Sequence, residues 1–193
     1  MKKTILSVVL LIVLILSACA DKKDEIIAYV GDVPVKMSEF EFYLDNVKEQ
    51  LQGTELSNDE DWENNKIDGR KAIEVAKDRA LESAVVNIAY IEIYEKTGKT
   101  LSQDDELKID EIKANIVGEY SVDGYEQFLK DNNISDEFID MLCKSTYCAE
   151  VIYNKLAEES GLMDEELDEY FEKYIDEKMK EFGIVATEVG EIN

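Results

Sequence analysis

The sequence contains no histidine, one proline and one tryptophan, and sets 21 basic residues against 45 acidic ones. Without imidazole, Ser-His-Asp and Cys-His nucleophilic catalysis are excluded, as are nearly all zinc sites. One proline and nine glycines in 193 residues leave few turns and point to long helices. The formal charge of −24 repels phosphate backbones and anionic headgroups, so nucleic acid is not expected as a partner. Such charge serves solubility first and attraction of basic partners second. With 45 acids, close carboxylate pairs are bound to occur, so none can be read as a glycosidase pair. No glycine-rich phosphate loop is present. "NDEDWENNKIDG", residues 58–69, lacks the sixth-position glycine and the spaced terminal glutamate of a calcium loop.

Cysteine is scarce too, and its three positions differ in meaning. Cys19 closes an apolar run. Lys2 and Lys3 precede Ile5 to Leu16, which is apolar except for Ser7. This is the charged and then apolar order of a secretory signal. Twelve helical residues span only ~18 Å against a ~30 Å hydrocarbon core. Leu16-Ser17-Ala18-Cys19 resembles a bacterial lipobox. That resemblance implies a lipoprotein signal peptide over residues 1–18 and covalent diacylglyceryl lipid on the Cys19 sulfur. A plain signal peptide or an uncleaved anchor are the other readings. Removing residues 1–18 takes away two lysines and no acid, leaving a formal charge of −26. Cys143 and Cys148 lie in "MLCKSTYCAEVIY", which reads as helix. Five residues apart is ~140° around the helix and ~8 Å along it, poor geometry for a bridge. They read as buried free thiols packing as small hydrophobes.

A charged tether, residues 19–25, leads into "IIAYVGDVPVKM", two β-prone runs around Gly31-Asp32. This predicts a hairpin, with Pro34 confining its strand to an edge. Ser38 and Glu41 form a capping-box pair, with Met37 stapling onto Phe42, and Phe40, Leu44, Val47 and Leu51 make one helical face. Residues 53–69 read as a mobile acidic loop, with Trp62 as a local packing anchor. From Ala80 to Tyr94 the chain is apolar on most sides, predicting a central helix enclosed by neighbours and ended at Gly98. Ser102 with Asp105 caps the next helix, whose stripe is Leu107, Ile109, Ile112, Ile116 and Val117. A short helix ends at Asn132-Asn133. Ser135 then caps a helix to about Glu159, broken by Gly161. The last helix runs from Asp164 to about Phe182, with Leu167, Tyr170, Phe171 and Tyr174 inward. "IVATEVGEIN" reads as a short strand able to pair with the N-terminal hairpin. The expected fold is mainly α: a helical bundle of five or six helices, a short N-terminal β-hairpin and a C-terminal strand, over residues 26–193.

This succession resembles the N-terminal chaperone domain of the SurA and PrsA group of extracytoplasmic foldases. "IAYVGDVPVKMSEFEFYL" is similar to the group's opening hairpin and helix. "ALESAVVNIAYIEIYEKTGKTLSQDDELKIDEIKANI" is similar to its long buried helix, glycine break and capped helix. "YEQFLKDNNISDEFIDMLCKSTYCAEVIYNKL" resembles the next pair, and "MDEELDEYFEKY" the helix that leads toward a parvulin prolyl-isomerase domain. The chain departs from the group where a histidine-bearing parvulin strand would follow. The resemblance therefore implies a chaperone-like domain without isomerase activity, moored to the outer face of a cell membrane through Cys19, with unfolded or secreted polypeptides as partners. It assigns no client-binding residues and no oligomeric state. The alternative is a lipid-anchored interaction module that docks one defined protein.

Overall fold

The computed structural model describes residues 25–54 and 62–188. The signal segment, Cys19 and the tether up to residue 24 lie outside the described residues, as do 55–61 and 189–193. The fold is mainly α, with six helices among the described residues and a small sheet that joins the two ends of the domain.

Strands β1 (Ile26–Val30) and β2 (Val33–Lys36) form the hairpin, and β5 (Ala186–Glu188) pairs antiparallel with the other side of β1. Gly31 takes a φ of 60° at the first of the two loop residues, where a II′ turn places glycine. The sheet order β2-β1-β5 leaves Pro34 on an edge, so its missing N–H breaks no interior ladder. Ile27 and Ala28 are both buried, which strict alternation forbids. The register shift between Ile26 and Ala28 reconciles this: the extra residue lets two successive side chains face the core.

Helix α1 (Met37–Thr54) follows β2 directly. Its cap is not the expected Ser38–Glu41 pair. The Lys36 N–H donates to Glu39 Oε2 at 3.1 Å, and the Met37 N–H donates to the Glu25 carbonyl at 2.8 Å. The helix thus begins one turn position earlier, and Ser38 sits inside it, buried. Phe40, Leu44, Val47 and Leu51 form its buried face, as expected.

The stretch read as a loop, residues 53–69, is structured in its described part. Strands β3 (Lys66–Ile67) and β4 (Arg70–Lys71) form a minimal hairpin. Asp68 and Gly69 have φ of 51° and 84°, positive at both loop positions as in a I′ turn. Ile67 is buried, and Trp62 packs half-buried on the core under the Lys48 ammonium, 5.9 Å from its ring. This segment also starts helix α2 (Ala72–Lys96), which has no side-chain cap. The Ala72 and Ile73 N–H groups donate to the Asn65 and Trp62 carbonyls at 2.8 and 3.1 Å, satisfying donors that a helix start leaves open.

Helix α2 is the axis of the domain. From Ala80 to Tyr94 only Glu82 is exposed. Small residues Ala76, Ala80, Ala84 and Ala89 are essentially inaccessible, allowing neighbouring backbones to approach closely. Thr97 and Gly98 (φ 82°) end the helix.

Helix α3 (Gln103–Gly118) starts at the expected capping box, the Asp105 N–H to Ser102 Oγ at 3.3 Å and the Ser102 N–H to Asp105 Oδ2 at 2.8 Å. The Tyr147 hydroxyl also donates to Asp105. With that bond and those from Ser102, the Asp105 carboxyl is held down to about 2. The apolar stripe expected on α3 is only half realised: no α3 residue is fully buried, and Leu107 is 55% exposed. The helix lies on the outside of the bundle. Helix α4 (Val122–Asp131) is capped by Ser121, and α5 (Asp136–Ser160) by Ser135. Lys113 of α3 binds Asp136 and Asp140 of α5 at 2.7 and 2.6 Å, and the Tyr125 hydroxyl of α4 reaches Asp136 at 2.7 Å. Asp136 thus ties three helices, through Lys113 of α3 and Tyr125 of α4.

Helix α6 (Asp164–Phe182) begins at Met163 without a side-chain cap. Leu167 is buried and Phe171 and Tyr174 are half-buried, as expected, but Tyr170 is exposed and Ile175 is buried in its place. Gly183 (φ 65°) closes α6, and the Ile184 N–H donates to the Met179 carbonyl at 2.8 Å. The buried Ile184 then delivers β5 to β1.

Among the described residues, one buried side-chain polar atom has no hydrogen-bond partner. The Tyr43 hydroxyl is buried without a hydrogen bond, and burial, with the Glu39 charge second, pushes its pKa well up. An unmade buried hydrogen bond costs about 1–3 kcal/mol. Tyr43→Phe is therefore expected to raise stability by roughly 1 kcal/mol in urea unfolding; a loss of stability would show that the hydroxyl is satisfied in solution.

Candidate functional site

Among the described residues, the face of α2 around Glu82, Val86 and Tyr90 is left partly open by its neighbours. α1 stands on one side and α6 on the other, with β5 closing one end. Three hollows meet there. A hollow of about 680 Å3 lies between α1 and α2, with Val47 and Leu51 on one wall and Val86 and Tyr90 on the other. A second, of about 380 Å3, lies between α2 and α6, lined by Tyr90, Phe171 and Ile175. A third, also about 380 Å3, runs toward the sheet past Leu81, Met179 and the 61%-exposed Val185. All three share Glu82 and Val86, so they form one cleft.

The lining mixes apolar side chains, Val47, Leu51, Val86, Tyr90, Phe171 and Ile175, with polar and charged ones. From Asp78 to Tyr90, α2 advances twelve residues, ~18 Å at 1.5 Å each. At ~3.3 Å per residue that length matches about five residues of extended chain. The Tyr90 and Phe171 rings lie 5.8 Å apart, and Tyr153 meets the other side of Phe171 at 5.4 Å. Burial raises the Tyr90 pKa, with the Glu172 carboxylate adding to it.

The polar residues of the α2 face are fixed by one another. Ser83 Oγ donates to the Arg79 carbonyl and Asn87 Nδ2 to the Ser83 carbonyl, both at 2.9 Å. Asn87 Oδ1 accepts from the fully buried Ser145 of α5 at 2.9 Å. The cleft wall is therefore preorganised, not a slack surface.

Cys19, the one site residue assigned from sequence, lies outside the described residues. Cys143 and Cys148 are free and buried, as expected. Burial raises the Cys148 thiol to about 11, far from the thiolate that reactive cysteines need. No cluster of metal-ligating side chains occurs among the described residues, and no described helix is long and apolar enough to cross a membrane.

Sequence reasoning did not single out the cleft residues, though one signal was present. Arg79, Glu82, Ser83 and Asn87 stand at i, i+3, i+4 and i+8, a polar stripe on an otherwise apolar helix. Such a stripe marks a face that its described neighbours cover only in part. No family model, curated protein or solved structure matches the chain.

Proposed function

We propose that this chain is an extracytoplasmic lipoprotein of the SurA and PrsA chaperone type, moored through Cys19, whose helical domain holds unfolded or secreted polypeptides in the cleft over α2. The observation that carries the reading is the cleft itself: apolar and aromatic side chains set among polar ones along a length that matches about five residues of extended chain. A chaperone needs apolar area that accepts many sequences weakly, and aromatic and methionine side chains provide it without demanding one shape. Tyr90, Phe171 and Met179 supply that chemistry here. The membrane part of the reading rests on the order Lys2-Lys3, apolar run, small residues, Cys19. Binding is the activity assigned; no covalent or isomerising step is.

The test is aggregation. The full chain in lipid nanodiscs is expected to lower light scattering from several unrelated secreted proteins diluted out of denaturant. Val86→Asp/Tyr90→Asp, which puts charge on the cleft floor, is expected to abolish most of that effect. Protection of none, together with 1:1 capture of a single folded protein, would replace this reading with the dedicated-partner module.

A further inference from the structure

The middle hollow of the cleft carries more than apolar surface. Tyr90 and Phe171 face it, and three carboxylates, Glu82, Glu172 and Asp176, stand around them. All three acids are exposed and make no ion pair with any described residue. Carboxylates that do find a base on this protein are neutralised by it, as Asp136 and Asp140 are by Lys113, Glu95 by Lys144 and Asp78 by Arg70; these three are not, and they stand together beside two rings. Among the described residues, Arg79 is the one basic residue that lines the cleft; it borders the larger hollow, which Glu82 also lines, and it has an interaction of its own.

An aromatic pair ringed by unmatched carboxylates is the chemistry that receives a cation. An ammonium or guanidinium gains from the negative face of a tyrosine or phenylalanine ring. It gains again from carboxylates beside it, more so where the walls of a cleft exclude water. The stem of a lysine or arginine is apolar and packs along Val86 and Ile175 while its head stays at the rim. Neutral guests find the same apolar floor without that charge term, and acidic guests meet like charge, which opposes docking. We propose that the middle hollow takes a lysine or arginine side chain of the bound polypeptide, with apolar residues of the same segment lying in the hollows on either side. This rests on the polypeptide-binding reading and gives it a substrate class: extended segments in which a basic residue interrupts apolar ones.

The experiment is fluorescence anisotropy with the full chain in nanodiscs of neutral phosphatidylcholine, with empty nanodiscs subtracted. Four labelled peptides share one apolar framework and differ at the central position: Lys, Arg, Gln or Glu. The Lys and Arg peptides are expected to bind about tenfold more tightly than the Gln peptide at low salt, and the Glu peptide more weakly still. Raising salt to about 0.5 M should shrink the Lys-to-Gln ratio, since screening acts on the charge term and spares the apolar one. Glu82→Gln/Asp176→Asn is expected to bring the ratio below about twofold, by weakening the Lys and Arg peptides far more than the Gln peptide. The Gln peptide reports whether that variant keeps its cleft, and the salt series on the native chain tests the same point without a substitution. Equal, salt-independent binding of all four peptides would overturn the cation site and leave the polypeptide-binding reading standing. Binding of none would overturn both.

Discussion

Cys19→Ala is expected to abolish incorporation of labelled palmitate and to release the protein from washed membranes. Each buried methylene of an acyl chain contributes about 0.8 kcal/mol, so one chain holds a protein reversibly and two hold it stably. Nothing else in the sequence replaces that energy. The apolar run Ile5–Leu16 is twelve residues, ~18 Å as helix, too short to cross a ~30 Å core by itself. The charge of −26 on the chain from residue 19 onward opposes rather than assists contact with anionic lipid. The effect should therefore be nearly all-or-none. Two readouts separate its parts: palmitate label reports acyl transfer to the sulfur, and a high-pH wash distinguishes a short retained leader from a lipid anchor. Label retained by the alanine variant would remove the lipobox assignment and leave the plain signal peptide or the uncleaved anchor as the reading of residues 1–18.

Most of the helical architecture is legible in the sequence because its boundaries are chemical. Ser102, Ser121 and Ser135 cap α3, α4 and α5 through side-chain oxygens, and Gly98, Gly161 and Gly183 take the left-handed conformation at helix ends. Pairing of the C-terminal strand with the N-terminal hairpin was also readable, since two short β-prone runs in a helical chain have few other partners. What escaped reading depends on competition between neighbours. "SEFE" offers Glu41 to Ser38 and equally Glu39 to Lys36; the second wins because Ser38 is drawn into the core. The β3–β4 hairpin is too short and charged to show an alternating pattern, although Asp68-Gly69 is its turn signal. Leu107 and Tyr170 were placed inward by helical spacing. Spacing assigns a face but not the width of its cover, and α3 and α6 lie at the edge of the bundle. The cleft was the least readable of all. Its walls come from residues 47–51, 79–90 and 171–186, and no local pattern brings three such segments together.

Closure of the domain brings the cleft up against the N-terminal sheet. β1 is the strand nearest Cys19 in sequence, and β5 pairs with it from the far end of the described chain. The residues just before β5, Ile184 and Val185, line the third hollow. One end of the cleft therefore adjoins the sheet whose first strand begins at Ile26.

Phe138→Ala is expected to be the most damaging single change to the fold. Phe138 stands in the first turn of α5, 3% exposed. Its ring meets Phe42 at 5.5 Å and Tyr43 at 5.7 Å, both nearly perpendicular, and so joins α5 to α1. Truncating a buried phenylalanine to alanine costs about 3–5 kcal/mol, through lost transfer energy and the cavity left behind. Edge-to-face partners add about 0.5–1.5 kcal/mol each beyond burial, which favours the upper half of that range. Against a typical total of about 5–15 kcal/mol, much of the stability goes. With a urea m-value of about 2–3 kcal/mol/M, the midpoint should fall by roughly 1–2 M with the slope unchanged. A loss under about 1 kcal/mol would mean that α5 closes over the gap and that the three rings are not the clasp between the helices. The pair also has a coupling to measure. The void left by Phe138 borders the Tyr43 ring and is large enough to admit water, which would solvate the stranded hydroxyl. The gain from Tyr43→Phe should then vanish in the Phe138→Ala background, and full additivity of the two changes would show that water does not enter.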